Sequence, residues 1–226
     1  MTIRAIIFDW GGTLTPWHTI DPNEAWLAAT GDATIAARLS AAEDAAWLRS
    51  RDEQRSATLA EVLDAAGVDS SDELLAAYHD WWTPHTYIDP DVPALFAALR
   101  ERGIRIGVLS NTLWPRDHHE RIFERDEVLA LIDGAVYTSE IAWTKPHAEA
   151  FRAALGAVGV ADPAERRLRR RPTLRRHPWR EGRRHESGLD PAQHHPGMAA
   201  RLGRRRDRTP SVTRLSELVG IIDSWQ

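Results

Sequence analysis

Apolar positions in this chain change period several times, and each change marks an element. Residues 3–8 (IRAIIF) form a nearly continuous apolar run that stops at Asp9-Trp10-Gly11-Gly12-Thr13. A short isoleucine-rich run ending in a glycine turn predicts a buried parallel strand. Residues 104–109 (IRIGVL) repeat the pattern and stop at Ser110-Asn111-Thr112. Residues 134–137 (GAVY) predict a third strand, leading to Thr144-Lys145-Pro146. Between the strands the period becomes helical. Residues 92–102 place Leu95, Phe96 and Leu99 on one face before Gly103, and residues 119–132 and 147–158 are spaced similarly. Strands alternating with helices imply right-handed crossovers and a parallel sheet.

Residues 15–87 break that alternation. Helical patterns cover 23–29, 33–54, 58–66 and 71–82, divided by turn signals at Thr30-Gly31-Asp32 and Gly67-Val68-Asp69. This is a helical insertion directly after the first strand. Residues 211–225 (SVTRLSELVGIIDSW) predict a closing amphipathic helix, with Leu215, Leu218 and Ile221 or Ile222 on one face. The fold class expected is α/β: a Rossmann-like parallel sheet core from residues 1–15 and 88–226, with an inserted α-helical cap over 16–87. The insertion holds Trp17, Trp26, Trp47, Trp81 and Trp82. Tryptophans in such a setting belong more often to a core than to a substrate contact.

Composition removes several function classes. The chain has 226 residues, enough for one domain with a substantial insertion, and no cysteine. Disulfide frameworks, cysteine-type zinc sites and thiol nucleophiles are thereby excluded. No apolar run reaches the length of a membrane span, and Met1-Thr2-Ile3-Arg4 lacks a signal-peptide apolar region. A cytoplasmic protein with no membrane partner is the expectation. The net charge of −4 conceals an asymmetry. Residues 166–210 hold 15 arginines against Glu181, Glu186, Asp190 and Asp207, a balance of +11 that leaves −15 for the rest. Lys145 is the only lysine in the chain.

In an open parallel sheet, ligands bind beyond the carboxyl ends of the strands. Three such ends deliver Asp9, then Ser110 and Asn111, with Lys145 just beyond the third. A carboxylate can attack a phosphoryl group and form an aspartyl phosphate. Gly11, Gly12 and Thr13 let backbone N–H groups approach a phosphate. The Ser110 hydroxyl can donate to a phosphoryl oxygen, and Lys145 can neutralise charge on nucleophile and phosphate. Phosphoryl transfer needs mostly such positioning and electrostatics.

These motifs resemble those of the haloacid dehalogenase-like hydrolase superfamily. Phe8-Asp9-Trp10-Gly11-Gly12-Thr13-Leu14-Thr15 looks like its first motif, Val108-Leu109-Ser110-Asn111-Thr112 like its second, and Thr144-Lys145-Pro146 like its third. The helical insertion looks like the family's small cap, and the resemblance covers residues 1–165. It implies that Asp9 is the nucleophile and a ligand to Mg2+, that Ser110 and Asn111 bind the phosphoryl group, and that Lys145 is the third-motif lysine. The implied activity is magnesium-dependent hydrolysis of a small phosphate ester through an aspartyl-phosphate intermediate.

Two departures qualify that activity. Phosphatases of the family carry a second Asp two residues after the nucleophile as general acid, and Gly11 stands there. Its carbonyl can ligate a metal but offers no proton. General acid catalysis is worth about 10²–10⁴-fold, so its absence favours good leaving groups, another bond type or weak turnover. The family's fourth motif is an apolar strand ending in Gly-Asp with a further Asp nearby, supplying the remaining magnesium carboxylates. It should follow Ala164-Glu165, where the chain instead reads RRLRRRPTLRRHPW over 166–179.

The genetic code offers an account of the block. Read one base later, arginine codons of the CGN type become Val, Ala, Gly, Asp or Glu, and the tryptophan codon at Trp179 becomes Gly without choice. Over residues 167–186 the permitted choices include Val-Phe-Val-Gly-Asp-Arg-Pro-Phe-Asp-Asp-Ile-His-Gly-Ala-Lys-Ala-Val-Gly-Met-Lys. That is a strand, a Gly-Asp, a nearby Asp pair and a following helix, which is how the family's fourth motif looks. Two other readings stand beside this one: a catalytically impaired relative, and a nucleic-acid-binding protein using the arginines. Against nucleic acid, the block carries Pro172, Pro178, Pro191, Pro196 and Pro210 and shows no helical stripe or RNA-binding motif. His177, His185, His194 and His195 match no zinc spacing. We expect the coding sequence over residues 165–211 to contain two compensating frame shifts. Nucleotide sequencing checks this, and a shifted reading without the strand, the Gly-Asp and the Asp pair rejects it.

Overall fold

A computed structural model describes residues 3–18, 20–160, 215 and 217–224. The arginine-rich block, with its frame reading and its histidines, lies outside the described residues. Three parallel strands carry the architecture: β1 (Ala5–Phe8), β2 (Arg105–Ser110) and β3 (Gly134–Tyr137), in the order β1-β2-β3. Phe8 is in register with Val108, and Ser110 with Tyr137. The carboxyl ends therefore finish side by side, and the fold is the expected α/β parallel sheet with flanking helices.

Helices make the crossovers, as the alternation predicted. They are α5 (Val92–Glu101) before β2, α6 (Arg116–Arg125) before β3, and α7 (Ala148–Ala157), which packs back on β2 and β3. The predicted face Leu95, Phe96 and Leu99 is buried with Phe8, Ile106, Val108 and Phe123. α8 (Glu217–Asp223) lies on α5 and buries Ile222 in the same cluster, where Leu215 and Leu218 also pack. α7 approaches β3 so closely that a Cβ on Gly134 would collide with the Ala157 carbonyl, so glycine is a condition of that packing.

One helix differs from expectation. The spacing over 119–132 predicts a single helix, but α6 starts at Arg116 and ends at Arg125. Glu127 takes a left-handed φ of 58°. The Val128 N–H reaches back to the Phe123 carbonyl at 2.9 Å, and the Glu127 N–H to the Glu124 carbonyl at 3.0 Å. This pair of bonds is a Schellman stop, usually signalled by glycine. Buried Val128 and Phe123 supply its hydrophobic contact, so packing rather than a glycine ends the helix.

The insertion comprises α1 (Pro22–Thr30), α2 (Ala33–Glu53), α3 (Leu59–Ala66) and α4 (Asp72–Trp82). Side chains of Asp21, Asp32, Thr58 and Ser71 cap the four N-termini, and left-handed Gly31 and Gly67 end α1 and α3. Trp26 stacks on Tyr78 at 4.0 Å and donates its indole N–H to Glu43 at 2.7 Å. Burial pushes the Glu43 carboxyl up from its ordinary range, against the donors Trp26, Trp47 and Tyr78. Trp26 is thus core, as expected, whereas Trp17 and Trp47 are exposed. No helix among the described residues is long and apolar enough to cross a membrane.

Insertion and sheet share a hydrophobic seam. Leu113, Trp114 and Ile122, which follow β2, are buried in the insertion's cluster, and Trp10 packs on both clusters. At this seam His79 of α4 stacks on His118 of α6, with centroids 3.7 Å apart and planes 16° from parallel. Both Nε2 atoms are buried without a partner. Burial, then other charges, lowers His79 to about 4 and His118 to about 3. Arg121 faces both imidazoles and Arg125 faces His118, while Asp80 and Asp117 oppose the lowering only in part. A histidine lowered on folding binds its proton more readily when unfolded. The stability it confers is present above about pH 6.5 and is lost as pH falls toward 3–4. We expect the melting temperature to fall steeply between pH 6.5 and 4.5, and His118→Gln to flatten that fall. Thermal unfolding across the range checks this, and equal slopes for the two proteins would reject the stack as the sensor.

Candidate active site

The strand ends assemble the site from three distant stretches of chain. Asp9 follows β1 directly, and Lys145 comes from the segment after β3. The two side chains form an ion pair, Lys145 Nζ to Asp9 Oδ1, at 2.5 Å. The lysine side chain is 12% exposed and the aspartate side chain 40%, so the cation is sunk behind a carboxylate that solvent reaches. Lys145 Nζ also donates to the Leu109 carbonyl at 2.8 Å, which fixes it to the end of β2. Burial pulls the ammonium below its ordinary range, and Asp9 opposes that pull. The Trp10 N–H and Lys145 both bind Oδ1 of Asp9. Oδ2 has no hydrogen bond among the described residues.

Asn111 explains how the lysine is held. Its Oδ1 accepts from the Lys145 N–H at 2.8 Å, and its Nδ2 donates to the Lys145 carbonyl at 3.1 Å. The side chain thereby clamps the lysine backbone on both sides and retains one amide hydrogen for a ligand. Ser110 is buried at the end of β2, and its hydroxyl makes only a long 3.5 Å contact to the Asn111 carbonyl. It stays available as a donor.

The loop after Asp9 folds around one acceptor. The Trp10 carbonyl receives the N–H groups of Thr13 at 3.1 Å, Leu14 at 2.8 Å and Thr15 at 3.1 Å. The Thr13 N–H is therefore committed inward, and its hydroxyl is what remains for a phosphate. Gly12 has a φ of 72°, a left-handed value that favours glycine, and is exposed.

Several residues that brace the site carry little sequence signal. Thr112 donates its N–H to the Thr138 hydroxyl at 2.9 Å, and its own hydroxyl receives the Trp114 N–H at 3.0 Å. The same hydroxyl lies 2.9 Å from His119 Nε2. The tautomer of the His119 ring sets which of the two groups donates in this contact. Burial lowers His119 to about 3, so it stays neutral there. Thr112 stands inside the second motif and was findable there. His119 sits on the apolar face of a helix, where a histidine ordinarily reads as core.

Among the described residues the donors make no complete Mg2+ site. That ion demands near-octahedral oxygen ligation, usually from carboxylates with phosphate and water. Among the described residues no three His, Asp or Glu side chains gather to hold a metal ion. The expected pair, Asp9 with the Gly11 carbonyl, supplies a single carboxylate, already neutralised by Lys145. Asn111→Ala would leave the Lys145 N–H and carbonyl without their partners. We expect it to cost about 1–3 kcal/mol, and Asn111→Asp, which keeps the acceptor, to cost less. Denaturant unfolding measures both, and an Ala variant as stable as the parent would remove the clamp.

The family model of haloacid dehalogenase-like hydrolases matches residues 3–166. No curated protein matches. Among solved structures, an L-2-haloacid dehalogenase from Xanthobacter autotrophicus is similar at 18% identity, covering 71% of this chain and 66% of that one, with a TM-score of 0.47. The alignment thus spans just under two thirds of that protein's length. A HAD phosphatase from Thermococcus onnurineus is similar at 17% identity, covering 70% and 73%, with a TM-score of 0.50. At such identities the likeness speaks to the fold. The family match spans all three strand ends, Asp9, Ser110-Asn111 and Lys145 alike, and the chain belongs to the haloacid dehalogenase-like hydrolases.

Proposed function

We propose that this chain hydrolyses a small, activated phosphate ester, with Asp9 as nucleophile. The observation that carries this reading is the 2.5 Å pair of Asp9 and Lys145 at adjoining strand ends, with Ser110 ending the strand between them and its hydroxyl held only by a long 3.5 Å contact. A carboxylate oxygen of Asp9 attacks phosphorus, and the bond to the leaving oxygen breaks with its electron pair. Lys145 screens repulsion between the carboxylate and the phosphate. Ser110, the remaining amide hydrogen of Asn111 and the Thr13 hydroxyl are the donors for phosphoryl oxygens, beside exposed Gly12. Water then cleaves the aspartyl phosphate and restores the carboxylate. Magnesium supplies charge neutralisation in enzymes that hold it, a role that falls to Lys145 in this reading. The ligand is a small phosphorylated molecule rather than nucleic acid or membrane.

A second reading has its own observation. Gly11 offers no proton and Asp9 is neutralised by a lysine, which also suits attack on a carbon bearing a halogen. There the carbon–halogen bond breaks with its electrons, and the halide leaves without needing a proton. Two assays separate the readings: phosphate release from aryl phosphates, and chloride release from 2-chloropropionate. We expect phosphate release and no chloride. Asp9→Asn should reduce it to the uncatalysed background with the fold intact. Without an acid at position 11, alkyl phosphates should turn over about 10²–10⁴-fold more slowly than aryl ones. Turnover surviving in Asp9→Asn would reject the nucleophile, and equal aryl and alkyl rates would mean that another group donates the proton.

A further inference from the structure

We infer that Trp17 is a specificity-determining residue and that its indole face receives a planar aromatic leaving group, making aryl phosphates the substrate class. The inference rests on the phosphate-ester reading and adds the leaving-group side of the site. Its first support is placement. The Trp17 ring lies against the loop that follows the nucleophile: a Cβ on Gly12 would stand 2.9 Å from Cε3 and 3.7 Å from Cδ2 and Cζ3. The ring therefore covers the backbone three residues after Asp9, where no side chain could intervene.

The second support is exposure. Trp17 is 62% exposed, more than any other large apolar side chain among the described residues that stand out from the surface. Single exposed apolar residues are ordinary, but this one is packed on the exposed Gly12 of the nucleophile loop. An aromatic rim continues from it. The next residue, His18, meets His85 edge-on at 5.2 Å, and His85 in turn contacts Trp81 at 5.3 Å. An indole left in water against the loop that follows Asp9 offers a face on which a second ring can stack offset or edge-on.

The third support is chemical and independent of Trp17. Gly11 cannot protonate the departing oxygen. When the Asp9 oxygen bonds to phosphorus and the phosphorus–oxygen bond breaks, the electron pair must leave as an anion. A phenolate carries that charge well, since phenolic oxygens have a pKa near 10, while an alkoxide does not. The missing acid and the exposed indole thus select the same group, an aromatic ring on the bridging oxygen.

The test uses ligands that cannot turn over. Phenylphosphonate and methylphosphonate share the phosphonate head and differ in the ring. By calorimetry on the full chain, phenylphosphonate should bind about 2- to 10-fold more tightly, the range expected for an aromatic pair. Trp17→Ala should abolish the preference and Trp17→Phe should retain most of it, with circular dichroism verifying that both variants fold. Equal binding of the two ligands by the parent, or a preference that survives in Trp17→Ala, would overturn the inference while leaving the phosphate-ester reading in place. Binding of neither ligand would overturn that reading and the inference with it.

Discussion

Everything at the strand ends depends on placing a lysine ammonium beside an aspartate carboxylate. Lys145 is largely buried, and a buried cation without a counter-charge sheds its proton or costs several kcal/mol of desolvation. Asp9 supplies that counter-charge at 2.5 Å, and the Leu109 carbonyl takes a further ammonium hydrogen. The pair ties the end of β1 to the chain leaving β3 across the end of β2. The same contact that orders the Asp9 carboxylate also neutralises it, and among the described residues one oxygen of this half-exposed group has no hydrogen bond. Asn111 makes the arrangement rigid by binding the lysine backbone on both sides.

The helical insertion is part of this machinery through packing. Trp10, adjacent to Asp9, touches both hydrophobic clusters, and Trp114 carries the end of β2 into the insertion's core. Around Trp114 the structure gathers Trp10, His79, Trp82, His118 and His119, with Tyr137 stacked on His119. Each of these six contributes a buried polar atom without a partner. Such atoms cost about 1–3 kcal/mol each, and ring packing offsets part of that. The seam between insertion and sheet is accordingly where polar cost concentrates and where acid acts.

Positioning at this site is far better developed than proton supply. A lysine faces the Asp9 carboxylate, an amide clamps the backbone of that lysine, and Gly11, two residues after Asp9, has no side chain to donate a proton. This geometry suits a bond whose departing group carries its own charge.

The local pattern was enough for much of this. Apolar runs ending at Asp9, at Ser110-Asn111 and ahead of Lys145 predict three parallel strands, and those strands are present with their ends in register. Capping residues such as Asp32 and Ser71 announce the helices, because a cap is a contact between near neighbours. Strand identity and helix starts are legible for that reason: the energy that decides them lies within a few residues. The family was legible too, since its motifs are short and sit at strand ends. What the sequence could not decide were contacts between distant stretches. The end of α6 is set by Val128 burying against Phe123, with no glycine to announce it. The division of the tryptophans into buried Trp26 and exposed Trp17 depends on which side of each element meets another. Asn111 became a clamp on Lys145, and His119 a brace for Thr112, only once β2, α6 and the segment after β3 were packed together, because a hydrogen bond across the fold has no period along the chain.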